Sequence, residues 1–303
     1  MYFIDSAPQS ALSSALHEVV GAVWEFSTSL KNILSPSSAV DLARRGPTYA
    51  QRFDMTSNAA VLVAYNDLEA ACAVQQRSMQ HRDSAIERLS YRAHCRQLME
   101  LGGDSYGFIP LPDGRLALFV ADACGKGLPA ALAVAGVQSS LRTAVAFAGD
   151  DPVTVVDAVN REVHACSETG HYATLFFGIV DGAASIMRYV NAGHNPGLLI
   201  HQDGSASSIG ATGLPVGMFA EASYTEGVVQ FRPGDRIVVC TDGVTEATNL
   251  QGREWGLEGL QQAATESLAQ GACDAVQAIF NAMDAFSREQ QCDDATVLVL
   301  QVA

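Results

Sequence analysis

Four aspartates in this 303-residue chain sit where an apolar segment meets a turn: Asp104 in GGD, Asp122 in VADACGKG, Asp242 in CTDG and Asp293 in CDDAT. Each follows or opens a stretch that reads as a β-strand. Singly, an aspartate at such a place is a turn residue, because its short carboxylate bonds nearby backbone N–H groups. Together they allow more, since a sheet can bring distant strand ends to one edge. Almost no Lys or Arg flanks them, so four gathered carboxylates would repel one another unless a cation stood between. An all-oxygen cluster suits Mg²⁺ or Mn²⁺, which favour octahedral oxygen and water coordination. Two such ions about 3.5–4 Å apart bridge a water, lower its pKa and clamp a phosphoryl group for in-line attack.

The elements that must position these acids follow from periodicity. Residues 116–121 are an apolar run with the length of a buried strand, ending at Asp122; Gly125 and Gly127 mark a turn, and an alanine-rich helix starts at Leu128. Upstream, residues 10–34 carry Leu12, Leu16, Val19, Val23, Phe26, Leu30 and Ile33 at heptad spacing. A short helix is expected over 37–45, and a third over 57–87, with Gln75 a polar flaw in its stripe and no break before the strand that follows. Such seams read as an antiparallel bundle or as a homodimer interface. From residue 89 the period changes to strands: 89–98, 173–180, 185–191, 197–201, 224–231, 236–240 and 295–302. Helices are expected over 128–147, 152–166, 257–269 and 272–290. The resulting organisation is a helical N-terminal region, 1–84, serving dimerisation or regulation, and a second domain, 85–303.

Charge and cysteine usage narrow the class. Lys+Arg 18 against Asp+Glu 33 gives −15, which argues against nucleic acid or an anionic membrane as partner. No apolar run was expected to be long enough to span a bilayer, and the first residues lack the basic and apolar regions of a signal peptide, so the expected location is cytoplasmic. Seven cysteines, with no C-x-x-C pair, read as reduced thiols, mostly small core residues, and not as a disulfide framework or zinc site.

Six motifs then carry a resemblance: Gly102-Gly103-Asp104-Ser105-Tyr106, the run from Asp122 to Ala131, Asn191-Ala192-Gly193-His194-Asn195-Pro196, Gly213-Leu214-Pro215-Val216-Gly217, the run from Thr241 to Ala247, and Asp293-Asp294-Ala295-Thr296. In this order they resemble the bacterial SpoIIE/RsbU-type branch of the PPM metal-dependent serine/threonine phosphatases, over about residues 85–303. The resemblance implies an α+β fold, an αββα sandwich of two antiparallel sheets flanked by helices. It implies two Mn²⁺ or Mg²⁺ ions held by Asp104, Asp122, Asp242 and Asp293, with the Ala123 carbonyl as a further ligand. It also implies a substrate: phosphoserine or phosphothreonine on a small regulatory protein such as an anti-anti-sigma factor. Two positions depart from the pattern. Gly107 stands where a second acid is common, and Met99 where an arginine is common, leaving Lys126 as the nearest substitute.

Other residues read more plainly. His194 could serve as a general acid, but in an Asn/Gly/Pro-rich loop it is expected to bond the turn around it. Asp294 is expected to point away from Asp293 along a strand, and Cys124 to be a tolerated small residue. Rival chemistries fail on spacing. A cysteine phosphatase needs arginine six residues after its cysteine, where Cys124 has Ala130, and a P-loop needs glycine five residues before Gly125, where Val120 stands. The rival from another class is a catalytically silent PPM domain acting as a binding or sensor module.

Overall fold

The computed structural model describes residues 58–79, 84–86, 89–166 and 171–302. The helices expected over 10–34 and 37–45, and with them the dimer seam, lie outside the described residues. The chain divides into two compact units, Met1–Ser78 and Met79–Ala303. The described part of the first unit is helix α1 (Asn58–Met79). It ends eight residues short of the expected helix, where the apolar stripe runs out into Gln80-His81-Arg82-Asp83. Ser84–Ile86 is instead a strand, β1, hydrogen-bonded to β2 (Leu89–Arg96), and its ladder supplies the backbone partners that a continued helix would have supplied.

The second unit continues with β3 (Asp104–Pro110), β4 (Leu116–Ala123), α2 (Leu128–Ala148), α3 (Pro152–Cys166), β5 (Ala173–Asp181), β6 (Ile186–Ala192), β7 (Gly197–Ile200), β8 (Ala206–Ile209), β9 (Gly227–Gln230), β10 (Arg236–Cys240), α4 (Asp242–Thr245), α5 (Gly256–Glu266), α6 (Ala272–Ser287) and β11 (Ala295–Val302). The strands form two antiparallel sheets, ordered β1-β2-β11-β10-β7-β8 and β3-β4-β5-β6-β9. β8 was not anticipated: its sequence ASSI is polar at an edge, so no alternation marks it.

Alternation along β4 shows why the layers stack as they do. Leu116, Leu118 and Val120 face the other sheet, packing with Phe176, Ile237, Val239, Leu298 and Leu300. Ala117, Phe119, Ala121 and Ala123 face outward and are covered by Val134, Val137 and Leu141 of α2 and Val155, Val156 and Val159 of α3. Helices α5 and α6 cover the outer face of the other sheet with Leu260, Val276, Ile279 and Phe280. β4 is therefore buried on both faces and reads as one unbroken apolar run. Each fully buried Leu or Phe there is worth about 1.5–3 kcal/mol.

Phe119 also accounts for a sequence departure. Gly107 is its cross-strand partner, and a Cβ at 107 would stand 2.4 Å from the Phe119 ring, so the space an acid would need is filled by aromatic core.

Three expectations need correction. α2 is long and apolar enough to cross a membrane by length and composition, contrary to the sequence reading, but half of it is buried against the sheet. The cysteines are not mostly core: Cys240 alone is buried, Cys72, Cys95 and Cys166 are intermediate, and Cys124, Cys273 and Cys292 are exposed. The strand expected over 224–231 is shorter, Gly227–Gln230.

Arg236 pins β10. It is 0% exposed, and its guanidinium donates to the carbonyls of Ala264 and Gln270 at 3.2 and 2.8 Å, to Ser267 Oγ at 2.8 Å and to Gln301 Oε1 at 3.1 Å. These acceptors include carbonyls at and beyond the end of α5, where the helix dipole favours a cation.

Candidate metal centre

The two sheets each send two of the four aspartates to one edge. Asp104 opens β3 and lies directly opposite Asp122 of β4. Asp242 follows β10 and opens α4, and Asp293 precedes β11, the neighbour of β10. Electrostatics reports their convergence. Burial lifts the Asp104 carboxyl well above the usual carboxylate range, Asp122 adds to the lift, and hydrogen bonds from two threonines oppose it. Asp122 is pushed up to about 7, by burial and then by Asp242, Asp293, Asp294 and Glu246. Asp242 is raised by burial and by Asp293. Among the described residues no three His, Cys, Asp or Glu side chains are drawn in to ligating distance of one point.

The centre's scaffold uses residues that the sequence reading left out. Asp104 is 1% exposed, and its Oδ2 accepts from Thr241 Oγ1 at 2.8 Å and Thr296 Oγ1 at 2.6 Å. Thr241 Oγ1 in turn accepts from the Thr296 backbone at 2.9 Å. The threonines of two motifs thus lock one oxygen of Asp104 and leave the other free of them.

β11 begins only at Ala295, so strand alternation does not reach Asp294. Its Oδ1 accepts from Leu98 N at 2.7 Å and its Oδ2 from Gly103 N at 2.8 Å, so it holds the loop that delivers Asp104. This contact explains two motif glycines. A Cβ at Gly102 would stand 2.3 Å from Asp294 Oδ2, and one at Gly243 would stand 2.0 Å from the Asp294 carbonyl. Gly103 similarly leaves room for the Ala123 carbonyl, 3.0 Å from where its Cβ would be.

Asp293 is engaged at both oxygens. Oδ1 accepts from Asp294 N at 2.9 Å, and Oδ2 pairs with Lys126 Nζ at 2.7 Å. Gln291 Nε2 braces this corner by donating to the carbonyls of Arg96 and Asp293, both at 2.8 Å.

The remaining motifs are braces. His194 is 4% exposed; its N–H donates to Asn191 Oδ1 at 2.8 Å, and its Nδ1 meets Thr174 Oγ1 at 2.7 Å. Burial pushes its imidazole down to about 4, against a small opposing pull from the Cys240 backbone, although Nε2 makes no hydrogen bond of full geometry. The backbone of His194 bonds its own turn, as the loop composition suggested, whereas its ring reaches Thr174 on β5 instead. Asn195 Nδ2 donates to Thr245 Oγ1 at 3.1 Å, tying this loop to α4. Val216 bridges Ala173 with backbone bonds of 3.0 and 2.9 Å, and Gly217 N donates to Asn160 Oδ1 of α3 at 2.8 Å. Cys124 is exposed, with its N–H donating to the Tyr172 carbonyl at 2.9 Å.

The donor set therefore fits a hard divalent cation: carboxylates and a backbone carbonyl, with two oxygens already bonded by threonine and lysine and others open. Comparisons with known proteins identify the family. Residues 112–303 match the family described as Stage II sporulation protein E (SpoIIE). Phosphoserine phosphatase RsbP of Bacillus subtilis is 27% identical over 186 residues, which are 60% of this chain and 46% of RsbP, so the chain spans about half of that relative's length. The SiaA-PP2C domain of Pseudomonas aeruginosa superimposes with a TM-score of 0.71 at 17% identity, covering 82% of this chain and all of that domain. The catalytic domain of PstP from Mycobacterium tuberculosis, in complex with two manganese ions, does so at 0.53 and 18%, covering 71% of this chain and 98% of PstP. The chain belongs to the SpoIIE/RsbU-type branch of the PPM phosphatase family.

Proposed function

We propose that the protein is a metal-dependent phosphoprotein phosphatase that removes phosphate from phosphoserine or phosphothreonine on a small regulatory protein in the cytoplasm, an anti-anti-sigma factor being the substrate type the family suggests. The observation that carries this reading is the convergence of Asp104, Asp122, Asp242 and Asp293, from both sheets, at one edge, where burial and acidic neighbours raise the carboxyls of Asp104, Asp122 and Asp242. Phosphoserine is the substrate class in the name of the relative RsbP, and PstP binds two manganese ions. On this reading the four aspartates and the Ala123 carbonyl hold two Mn²⁺ or Mg²⁺ ions. Bound there, the ions supply an activated water and charge neutralisation for in-line displacement at phosphorus.

The chain's own residues do the positioning. Thr241 and Thr296 fix one oxygen of Asp104, Asp294 fixes its loop, and Gln291 fixes the Asp293 corner. His194 stays buried and neutral, so protonation of the departing serine oxygen falls to water. Incubating the purified protein with an aryl phosphate or a phosphoserine peptide tests the proposal. Phosphate release should require Mn²⁺ or Mg²⁺ and stop in EDTA, and full activity in EDTA would overturn the reading. The rival silent module, whose support is Met99 in place of an arginine, predicts Mn²⁺ binding with no release.

A further inference from the structure

The acidic edge has one cation poised over it. The Lys126 ammonium lowers the carboxyls of Asp242 and Glu246 against the burial and the acids that raise them. Lys126 stands between Gly125 and Gly127, both with positive φ (102° and 69°), in the turn that joins β4 to α2. Its ammonium touches Asp293 Oδ2 at 2.7 Å and donates to the Cys292 carbonyl at 3.0 Å. The side chain is 54% exposed, so its stem is free to swing. Asp293 Oδ1 already accepts from Asp294 N, so apart from Lys126 it is Oδ2 that is the less engaged oxygen for a cation. Lys126 and that cation therefore compete for the same atom.

The incoming group adds a second demand. A phosphate monoester is a dianion, and the edge it must approach is lined with carboxylates. Divalent ions offset part of that charge, but the outer phosphate oxygens still need donors. A primary ammonium displaced from Asp293 remains tethered at the same edge, with three donors and a preference for phosphate oxygen. We propose that Lys126 binds the phosphoryl group of the substrate, and that occupation of Asp293 Oδ2 by a divalent ion is what releases it to do so. The inference rests on the phosphatase reading. It makes the metal and the phosphate cooperative ligands, coupled through one lysine.

The test uses the full chain with Lys126→Met and Lys126→Arg, and with Lys126→Gln in case the Met variant does not fold. Calorimetry first measures Mn²⁺ binding with no substrate present. Without the competing ammonium, Lys126→Met should bind Mn²⁺ several-fold more tightly. Inorganic phosphate binding is then measured at saturating Mn²⁺. It should weaken about tenfold or more in Lys126→Met, the loss expected for a charged hydrogen bond, and Lys126→Arg should restore most of it. This split of tighter metal and weaker phosphate is not what a merely structural lysine would give. Unchanged phosphate affinity in Lys126→Met, or weaker Mn²⁺ binding, would overturn the assignment while leaving an Mn²⁺-dependent parent enzyme intact. A parent that neither binds Mn²⁺ nor releases phosphate would overturn the phosphatase reading and this inference with it.

Discussion

Replacing Asp122 by Asn should stabilise the protein in EDTA, and only above a certain pH. The Asp122 carboxyl is held at about 7 against an ordinary 3.8, by burial and by its acidic neighbours. The folded state thus keeps this proton to higher pH than the unfolded chain, and stability falls as pH rises from about 4 to about 7. A displacement of about 3 pH units at about 1.36 kcal/mol each sets an upper bound of about 4 kcal/mol on the cost of ionising Asp122. Halving that bound for solvent screening and the poorer fit of an amide leaves about 2 kcal/mol. For a unit the size of Met79–Ala303, this is a rise of about 4–8 °C in Tm at pH 8. At pH 4.5 the gain should shrink to about a quarter, because Asp122 is then protonated in the folded parent while the unfolded chain has already begun to ionise. With Mn²⁺ the order should reverse at pH 8, because the parent gains binding energy that the variant lacks. Scanning calorimetry at both pH values, with EDTA and with Mn²⁺, reads all of this. An equal gain at both pH values, or none at pH 8, would refute the account of repulsion at this edge.

Three further outcomes follow from the same geometry. Asp294→Ala strips Leu98 N and Gly103 N of their acceptor, so Mn²⁺ affinity should fall about 10–100-fold; calorimetry showing unchanged affinity would remove Asp294 from the scaffold. Cys124→Ser should leave turnover within a few-fold of the parent, since Cys124 is exposed and Ala130 stands where a thiol mechanism needs arginine; a drop of several orders with Mn²⁺ binding intact would reinstate thiol chemistry. His194 should remain neutral until about pH 4, contributing stability that is present above its unfolded value of about 6.5 and lost as pH falls toward 4. An imidazole titration by NMR with a midpoint near 6.5 would contradict its burial.

What the sequence could and could not disclose follows from the range of each signal. The four aspartates were legible because strand ends and glycine turns are local patterns, and a sheet limits where strand ends can go. Their supports were not. Thr241 and Thr296 are ordinary strand residues in sequence, and only the β10–β11 pairing brings both hydroxyls to Asp104. Asp294 was kept out of the ligand set, but its hold on Leu98 N and Gly103 N was not legible, because those partners lie far upstream in sequence. Gly102 and Gly243 were visible as turn residues, yet their reason, the closeness of Asp294, comes from a segment distant in sequence. The overlong third helix shows the converse limit: a helical period can be followed past its last apolar residue when nothing local marks the stop.

Because each sheet supplies one pair of the acids, the gap between the sheets is also a dimension of the proposed metal centre. Packed sheets lie about 10 Å apart, and here Leu118, Phe176, Val239 and Leu298 fill that gap. Adding or removing a methylene among them changes more than cohesion; it moves Asp104 and Asp122 relative to Asp242 and Asp293. Mg²⁺ demands near-ideal octahedral distances, so it should tolerate such drift poorly. The hydrophobic filling thus acts as a spacer gauge, and ion preference becomes a trait that can evolve through residues touching neither ion nor substrate.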